Sequence, residues 1–298
     1  MEALLFEPMT VGQIFRTTFA LYRRHFWHFV AICAVIEVPL VALSAGRSAV
    51  SVSESTARQT SEQVQVRDDG ADGSVSGDVK TAKRDIRWGA LGVELLLVSF
   101  QIAIGALAGG AMMMSVSALY AGDEVTVGQA YRMIRPKAVT LGCAGVLVLL
   151  VWGLGTCMCI FPGFIILYRY AVVPGCILAE DLGVIAAMRR SHALVRSRIG
   201  RTLGVVLPVF LVGCVIGTFI SNALPYGADA LFGDGNPWIR FISSFVSSLC
   251  LMFLTPICMI SAILLYYNLR VFNEGVTFAR LADEVILKRQ FASPDQLA

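Results

Sequence analysis

Six stretches of this chain, 26–46, 88–119, 138–156, 160–179, 201–223 and 240–267, stay apolar long enough to cross a bilayer, which takes a helix about 20 residues. Inside hydrocarbon each backbone N–H and C=O must be paired within its own segment or in a closed barrel, and no stretch shows the alternation of barrel strands. The runs are therefore helices. The predicted fold class is all-α, a polytopic membrane protein with six transmembrane helices forming a single domain over 1–298. Composition agrees, since 56% hydrophobic and 15% charged residues with a mean hydropathy of +0.71 exceed what a water-soluble domain carries. A net charge of +3, with Lys and Arg gathered at the ends of apolar runs, argues for membrane flanks and against nucleic acid.

A heptapeptide recurs. Thr10-Val11-Gly12-Gln13-Ile14-Phe15-Arg16 returns as Thr126-Val127-Gly128-Gln129-Ala130-Tyr131-Arg132, each time just upstream of an apolar run. In 10–26, Val11, Phe15, Phe19, Tyr22 and Phe26 share one helical face while Gln13, Arg16, Thr17 and Arg24 take another, and Thr10 suits an N-cap. In 126–135, Val127, Ala130, Tyr131 and Ile134 oppose Gln129, Arg132 and Arg135. A degenerate third copy sets Val184, Ala187, Met188, Leu194 and Val195 against Arg189 and Arg190. The expected architecture is three repeats of an interfacial amphipathic helix plus a helical hairpin, with Arg16, Arg24, Arg132, Arg135, Arg189 and Arg190 facing lipid headgroups. The even-numbered spans end in acidic turns, Gly122-Asp123-Glu124, Ala179-Glu180-Asp181 and Asn273-Glu274-Gly275, which read as caps for the following helices.

The basic clusters set the orientation. Arg23 and Arg24, then Arg132, Arg135 and Lys137, then Arg189 to Arg201 all fall on one side, which places both termini in the cytoplasm of a bacterial plasma membrane. The 47–87 segment runs against this rule with seven basic residues, although seven acids balance them, and its polar composition predicts a flexible extracytoplasmic loop. Residues 276–298 are expected to form a cytoplasmic amphipathic tail. The first run is too long for the apolar core of a signal peptide, about 7–15 residues, so it reads as a retained span.

The stretch Phe161-Pro162-Gly163, Tyr168-Arg169-Tyr170, Val173-Pro174, Glu180 and Ala186-Ala187-Met188-Arg189-Arg190-Ser191, with Leu194-Val195, resembles the bacterial glycerophosphoryl diester phosphodiesterase membrane domain family. So do the opening Pro8-Met9-Thr10-Val11-Gly12 with Leu21-Tyr22-Arg23-Arg24, and the closing Leu265-Tyr266-Tyr267-Asn268-Leu269-Arg270. The resemblance covers most of the chain outside 47–87. It implies a stand-alone membrane part, since some members are fused to a soluble phosphodiesterase and many are not.

The phosphodiesterase chemistry itself needs metal-binding carboxylates and histidines, and the three histidines, His25, His28 and His192, have no adjacent acid. Cys157-Met158-Cys159 lacks the further ligands of a zinc site, and the other cysteines fall in apolar runs as small hydrophobes. Gly-x-Ser-x-Gly, His-Glu-x-x-His and Gly-x-x-x-x-Gly-Lys motifs are absent. Gly105 and Gly109, Gly213 and Gly217, and the serines at 243, 244, 247 and 248 read as close helix contacts. No enzyme activity, cofactor or metal is predicted.

What remains is an intramembrane polar set of Glu37, Glu94, Gln101 and Arg169. A charge at mid-bilayer is disfavoured by about 2.5–3.5 kcal/mol even on insertion scales, so a pairing of Arg169 with Glu37, or else Glu94, is expected. That pair is either a structural tie between spans or the floor of a cavity for a lipid headgroup or polar solute. The expected function is a non-catalytic integral membrane protein engaging membrane lipids, other membrane proteins or a homo-oligomer; the alternative is a transporter or flippase-like carrier.

Overall fold

A computed structural model describes residues 9–41, 78–123, 125–158, 160–232 and 237–275. Among them the chain is helical and holds no strand. In order it forms α1 (Val11–Arg24), α2 (Phe26–Val41), α3 (Asp78–Ala121), α4 (Val127–Ile134), a 3-10 turn (Arg135–Lys137), α5 (Ala138–Met158), α6 (Ile160–Tyr170), α7 (Val173–Glu180), α8 (Val184–Arg196), α9 (Ile199–Phe232), α10 (Pro237–Met252) and α11 (Thr255–Glu274). Five stretches, Leu95–Ala121, Val127–Met158, Pro162–Glu180, Ile199–Leu224 and Phe241–Glu274, are long and apolar enough to cross a membrane. The number is six when α1 and α2, bent by 84°, are taken as one span.

Both copies of the heptapeptide open a helix in the same way. Thr10 and Thr126 are extended N-caps whose hydroxyls accept from the backbone of Gln13 and Gln129, and those glutamines return a bond to the cap N–H at 2.6 and 2.9 Å. Each pair is a capping box that satisfies two otherwise orphaned donors. The copies differ at their exits. α1 turns sharply into α2, whereas α4 passes through the Arg135–Lys137 turn into α5 within one continuous apolar stretch.

The chain divides into two compact units. The first gathers Met1–Glu37, Ile102–Gly217 and Met252–Ala298. Its centre is α11, buried at every position from Ile263 to Arg270, more than two full turns, so that this helix is covered all round. The stretch from Gly110 to Ala118 of α3 is buried in the same continuous way. Several polar groups in this core are paired: Ser117 Oγ donates to the Met113 carbonyl at 2.7 Å and meets the Tyr267 hydroxyl at 2.5 Å, and Asn268 Nδ2 donates to the Met9 carbonyl at 3.0 Å, while Asn268 Oδ1 is buried with no hydrogen-bond partner among the described residues. The second unit comprises Val38–Gln101 and Thr218–Leu251. There Ser247 Oγ donates to its own helix at Ser243 and reaches the Ile220 carbonyl at 3.3 Å, a helix contact of the kind the serine spacing predicts.

Close helix approaches lie at other glycines than the sequence singled out. Nothing stands within 4 Å of a Cβ placed at Gly105 or Gly213, and Gly109 meets only Met259 at an ordinary 3.8 Å. The tight crossings are at Gly142 and Gly145, against Ala103, Ile102 and Ala106, and at Gly155 and Gly163, which face each other across the α5–α6 hairpin. Spacing marks glycines on one helix face but does not say which face meets a neighbour.

Helix boundaries differ in three places. Residues 78–87, expected in the loop, belong to α3, because Val79 to Trp88 contains no Gly or Pro and extending an existing helix needs no new nucleus. The rest of 47–87 and the 276–298 tail lie outside the described residues. The 160–179 and 240–267 spans are each interrupted, at Ala171-Val172 and at Phe253-Leu254, just ahead of Pro174 and Pro256. A proline supplies no N–H to the carbonyl four residues back, so a first-turn position after a break is where it fits.

Candidate functional site

The two breaks expose carbonyls, and distant hydroxyls fill them. Ile257 N–H turns to the Leu254 carbonyl at 3.2 Å, and the Phe253 carbonyl accepts instead from the Tyr22 hydroxyl of α1 at 2.8 Å. At the other break the Arg169 carbonyl accepts from Ser191 Oγ at 2.7 Å, which fixes the end of α6 to the middle of α8. α8 begins at Gly183 without a side-chain cap and presents Ala187, Met188, Ser191, Leu194 and Val195 to the interior. Its remaining residues serve two different charged places.

On one flank lies a network of four charges. Arg190 Nε donates to Glu180 Oε2 at 2.7 Å, and its Nη2 donates to Glu274. Arg270 holds the second oxygen of Glu274 through Nε at 2.9 Å and Nη2 at 2.8 Å, and its Nε stands 3.9 Å from Glu180. The Tyr266 hydroxyl donates to Glu180 at 3.3 Å. Gly175 makes this possible, because a Cβ there would sit 2.5 Å from Cγ of the Tyr266 ring. Burial works against the Arg190 charge, but the hydrogen bond and proximity of Glu180, with Glu274 beside them, outweigh it and hold its pKa above the ordinary arginine value.

This revises the reading of the acidic turns as caps. Glu180 and Glu274 are the last residues of α7 and α11, where the helix dipole disfavours an anion, and the two arginines supply the compensation. Asp181, in the left-handed region at φ 56°, pairs with Lys137 at 3.5 Å. Arg190 is thus ion-paired and half-buried, whereas the side chains of Arg16, Arg24, Arg132, Arg135 and Arg189 are exposed. Sequence reasoning missed Arg270 and Tyr266 as members. The available signal was the i,i+4 spacing of Tyr266, Arg270 and Glu274 along α11.

On the other flank of α8 is a cleft of about 520 Å³. Arg169, Arg189 and His192 supply its cations and ring nitrogens, Arg189 and His192 lying three apart on one helix face. Leu147 and Val151 of α5, with Ile185 and Met188 of α8, make its apolar wall, and Tyr170 completes it. His192 Nδ1 is buried and has no hydrogen-bond partner among the described residues.

No ion pair joins Arg169 to Glu37 among the described residues; Glu37 is half-buried on α2 and accepts a hydrogen bond from Thr255 at the start of α11. Glu94 lies in α3 with its side chain outside the described part, and Gln101 is exposed on the same helix. Cys157 is exposed and Cys159 lies outside the described residues. No three His, Cys, Asp or Glu side chains among the described residues come together as metal ligands.

Comparison with known proteins brings no match: no family model, no curated protein and no solved structure is similar to this chain.

Proposed function

We propose that the chain is a non-catalytic integral protein of the bacterial plasma membrane, built as three helix-plus-hairpin repeats with both termini cytoplasmic, whose surface helices engage membrane lipids. The observation that carries this reading is α9. Within Ile199–Leu224 its most apolar window of 18 residues has a mean hydropathy of 2.6, yet only 6% of that window is buried within the protein. Leu211, Val212, Val215 and Phe219 all stand open. An apolar flank of that length is stable only in an apolar medium. The exposed arginines at 16, 24, 132, 135 and 189 support lipid engagement from the inner leaflet, whose anionic headgroups attract basic segments. The resemblance to the glycerophosphoryl diester phosphodiesterase membrane domain belongs to the same proposal. Of the residues that carry it, Glu180, Arg190, Tyr266 and Arg270 join in one network beside the middle of α8, where Ser191 also holds the end of α6.

The test is reconstitution of the purified chain in nanodiscs of phosphatidylcholine with and without phosphatidylglycerol. The expected outcome is a higher unfolding temperature with the anionic lipid, diminishing as salt is raised. Equal unfolding temperatures in the two lipids would overturn the reading. Flux of an anionic amphiphile through proteoliposomes would replace it with a carrier.

A further inference from the structure

We propose that the cleft between α5, the end of α6 and α8 binds the phosphate-bearing headgroup of an anionic phospholipid, with the acyl chains leaving along its apolar wall. This rests on the reading of the chain as a lipid-engaging membrane protein and adds a defined site to it. Charge accounting around α8 is the first argument. Glu180 and Glu274 are occupied by Arg190 and Arg270, and Asp181 is paired with Lys137. That leaves Arg169 and Arg189 facing one cleft with no carboxylate partner among the described residues. Two arginines lining one cleft make it positive and favourable to an anion, and the fork of an arginine matches phosphate oxygens.

His192 is the second argument. Its ring lines the same cleft and its Nδ1 has no hydrogen-bond partner among the described residues, so a phosphate oxygen would supply a partner that those residues do not. The shape of the cleft decides between sources of phosphate. Free phosphate needs polar partners on all sides, but four of the eight lining residues, Leu147, Val151, Ile185 and Met188, are apolar. A headgroup ester of a diacylglycerol satisfies both halves at once, and the 520 Å³ volume accommodates the headgroup while the chains remain in the bilayer.

Native mass spectrometry of the full chain, released from detergent and titrated separately with phosphatidylglycerol, phosphatidylcholine and inorganic phosphate, tests this. The wild type is expected to retain phosphatidylglycerol about tenfold more tightly than phosphatidylcholine, and the Arg169→Gln/Arg189→Gln variant to lose that preference, as removal of charge-assisted hydrogen bonds implies. Ile185→Trp fills the cleft from an exposed position without altering charge, and is expected to weaken phosphatidylglycerol alone; it decides the matter if the double variant does not fold. If the wild type prefers the anionic lipid and both variants keep that preference, the cleft is not the site, although the wider lipid reading stands. If the wild type shows no preference, that wider reading has failed as well. Displacement of phosphatidylglycerol by equimolar inorganic phosphate identifies the free ion as ligand and overturns the lipid assignment.

Discussion

Gly175 and Tyr266 form the tightest contact around the charged network, and the whole arrangement depends on the missing side chain. Gly175→Ala drives a methyl group into the Tyr266 ring at 2.5 Å from Cγ, so either the ring or α7 must move, and the Tyr266 bond to Glu180 is lost with it. The expected cost is about 1–3 kcal/mol, read as a lower midpoint of thermal unfolding in detergent. Glu180 itself is three-quarters or more buried at its side chain and Arg190 about two-thirds. Glu180→Ala should therefore destabilise by about 1–3 kcal/mol, between the limits for exposed and fully buried pairs. A double-mutant cycle with Arg190→Ala is expected to show coupling of at least about 0.5 kcal/mol; additivity would mean that the two side chains do not act together. Of this network only the i,i+4 run of Tyr266, Arg270 and Glu274 was legible in the sequence. Glu180 and Arg190 are ten residues apart and Glu274 and Arg190 eighty-four, separations that no helical period connects.

Individual elements were legible to a different degree. The capping boxes at Thr10 and Thr126 follow from four consecutive residue types, so they could be read directly, and both are formed. The breaks ahead of Pro174 and Pro256 were less visible, because apolar runs continue through them and hydropathy does not respond to a missing N–H. Their repair could not be read at all, since Ser191 and Tyr22 are supplied by other helices. Ser191→Ala and Tyr22→Phe each leave a carbonyl unpaired in a low-dielectric setting and should lower stability by about 1–3 kcal/mol. Hydrogen exchange checks the local consequence: faster exchange is expected near Val172–Cys176 for the first variant and near Leu254–Cys258 for the second. Pairing Arg169 with Glu37 rested on the cost of a charge at mid-bilayer, but that cost says nothing of direction around the helix, and the two face different partners.

At the scale of the molecule, length and hydropathy were enough to predict an all-helical chain; six spans were expected, and the described residues hold five stretches able to cross a bilayer, or six with the bent α1–α2 pair. Which helix would be central was not predictable, since α11 and α9 are both strongly apolar, yet one is enclosed and the other bare. The topology that the basic clusters imply has a direct check. Single cysteines introduced at 126–137 and 189–201, in a chain whose native exposed cysteines are replaced, should resist a membrane-impermeant maleimide in intact cells and react after permeabilisation. Labelling from outside would reverse the orientation proposed for the whole chain.

Arg189 and Arg190 are neighbours in the chain but hold opposite stations, one neutralised by two carboxylates and the next bare at the mouth of a cleft. Consecutive helical residues point about 100° apart, so spinning α8 on its long axis by one position would strand the first guanidinium and thrust the second toward a wall already filled. The helix is consequently keyed like a bolt. A ligand of the proposed cleft would meet a helix whose rotation is opposed by the bonds of Arg190 to Glu180 and Glu274, the closing residues of α7 and α11.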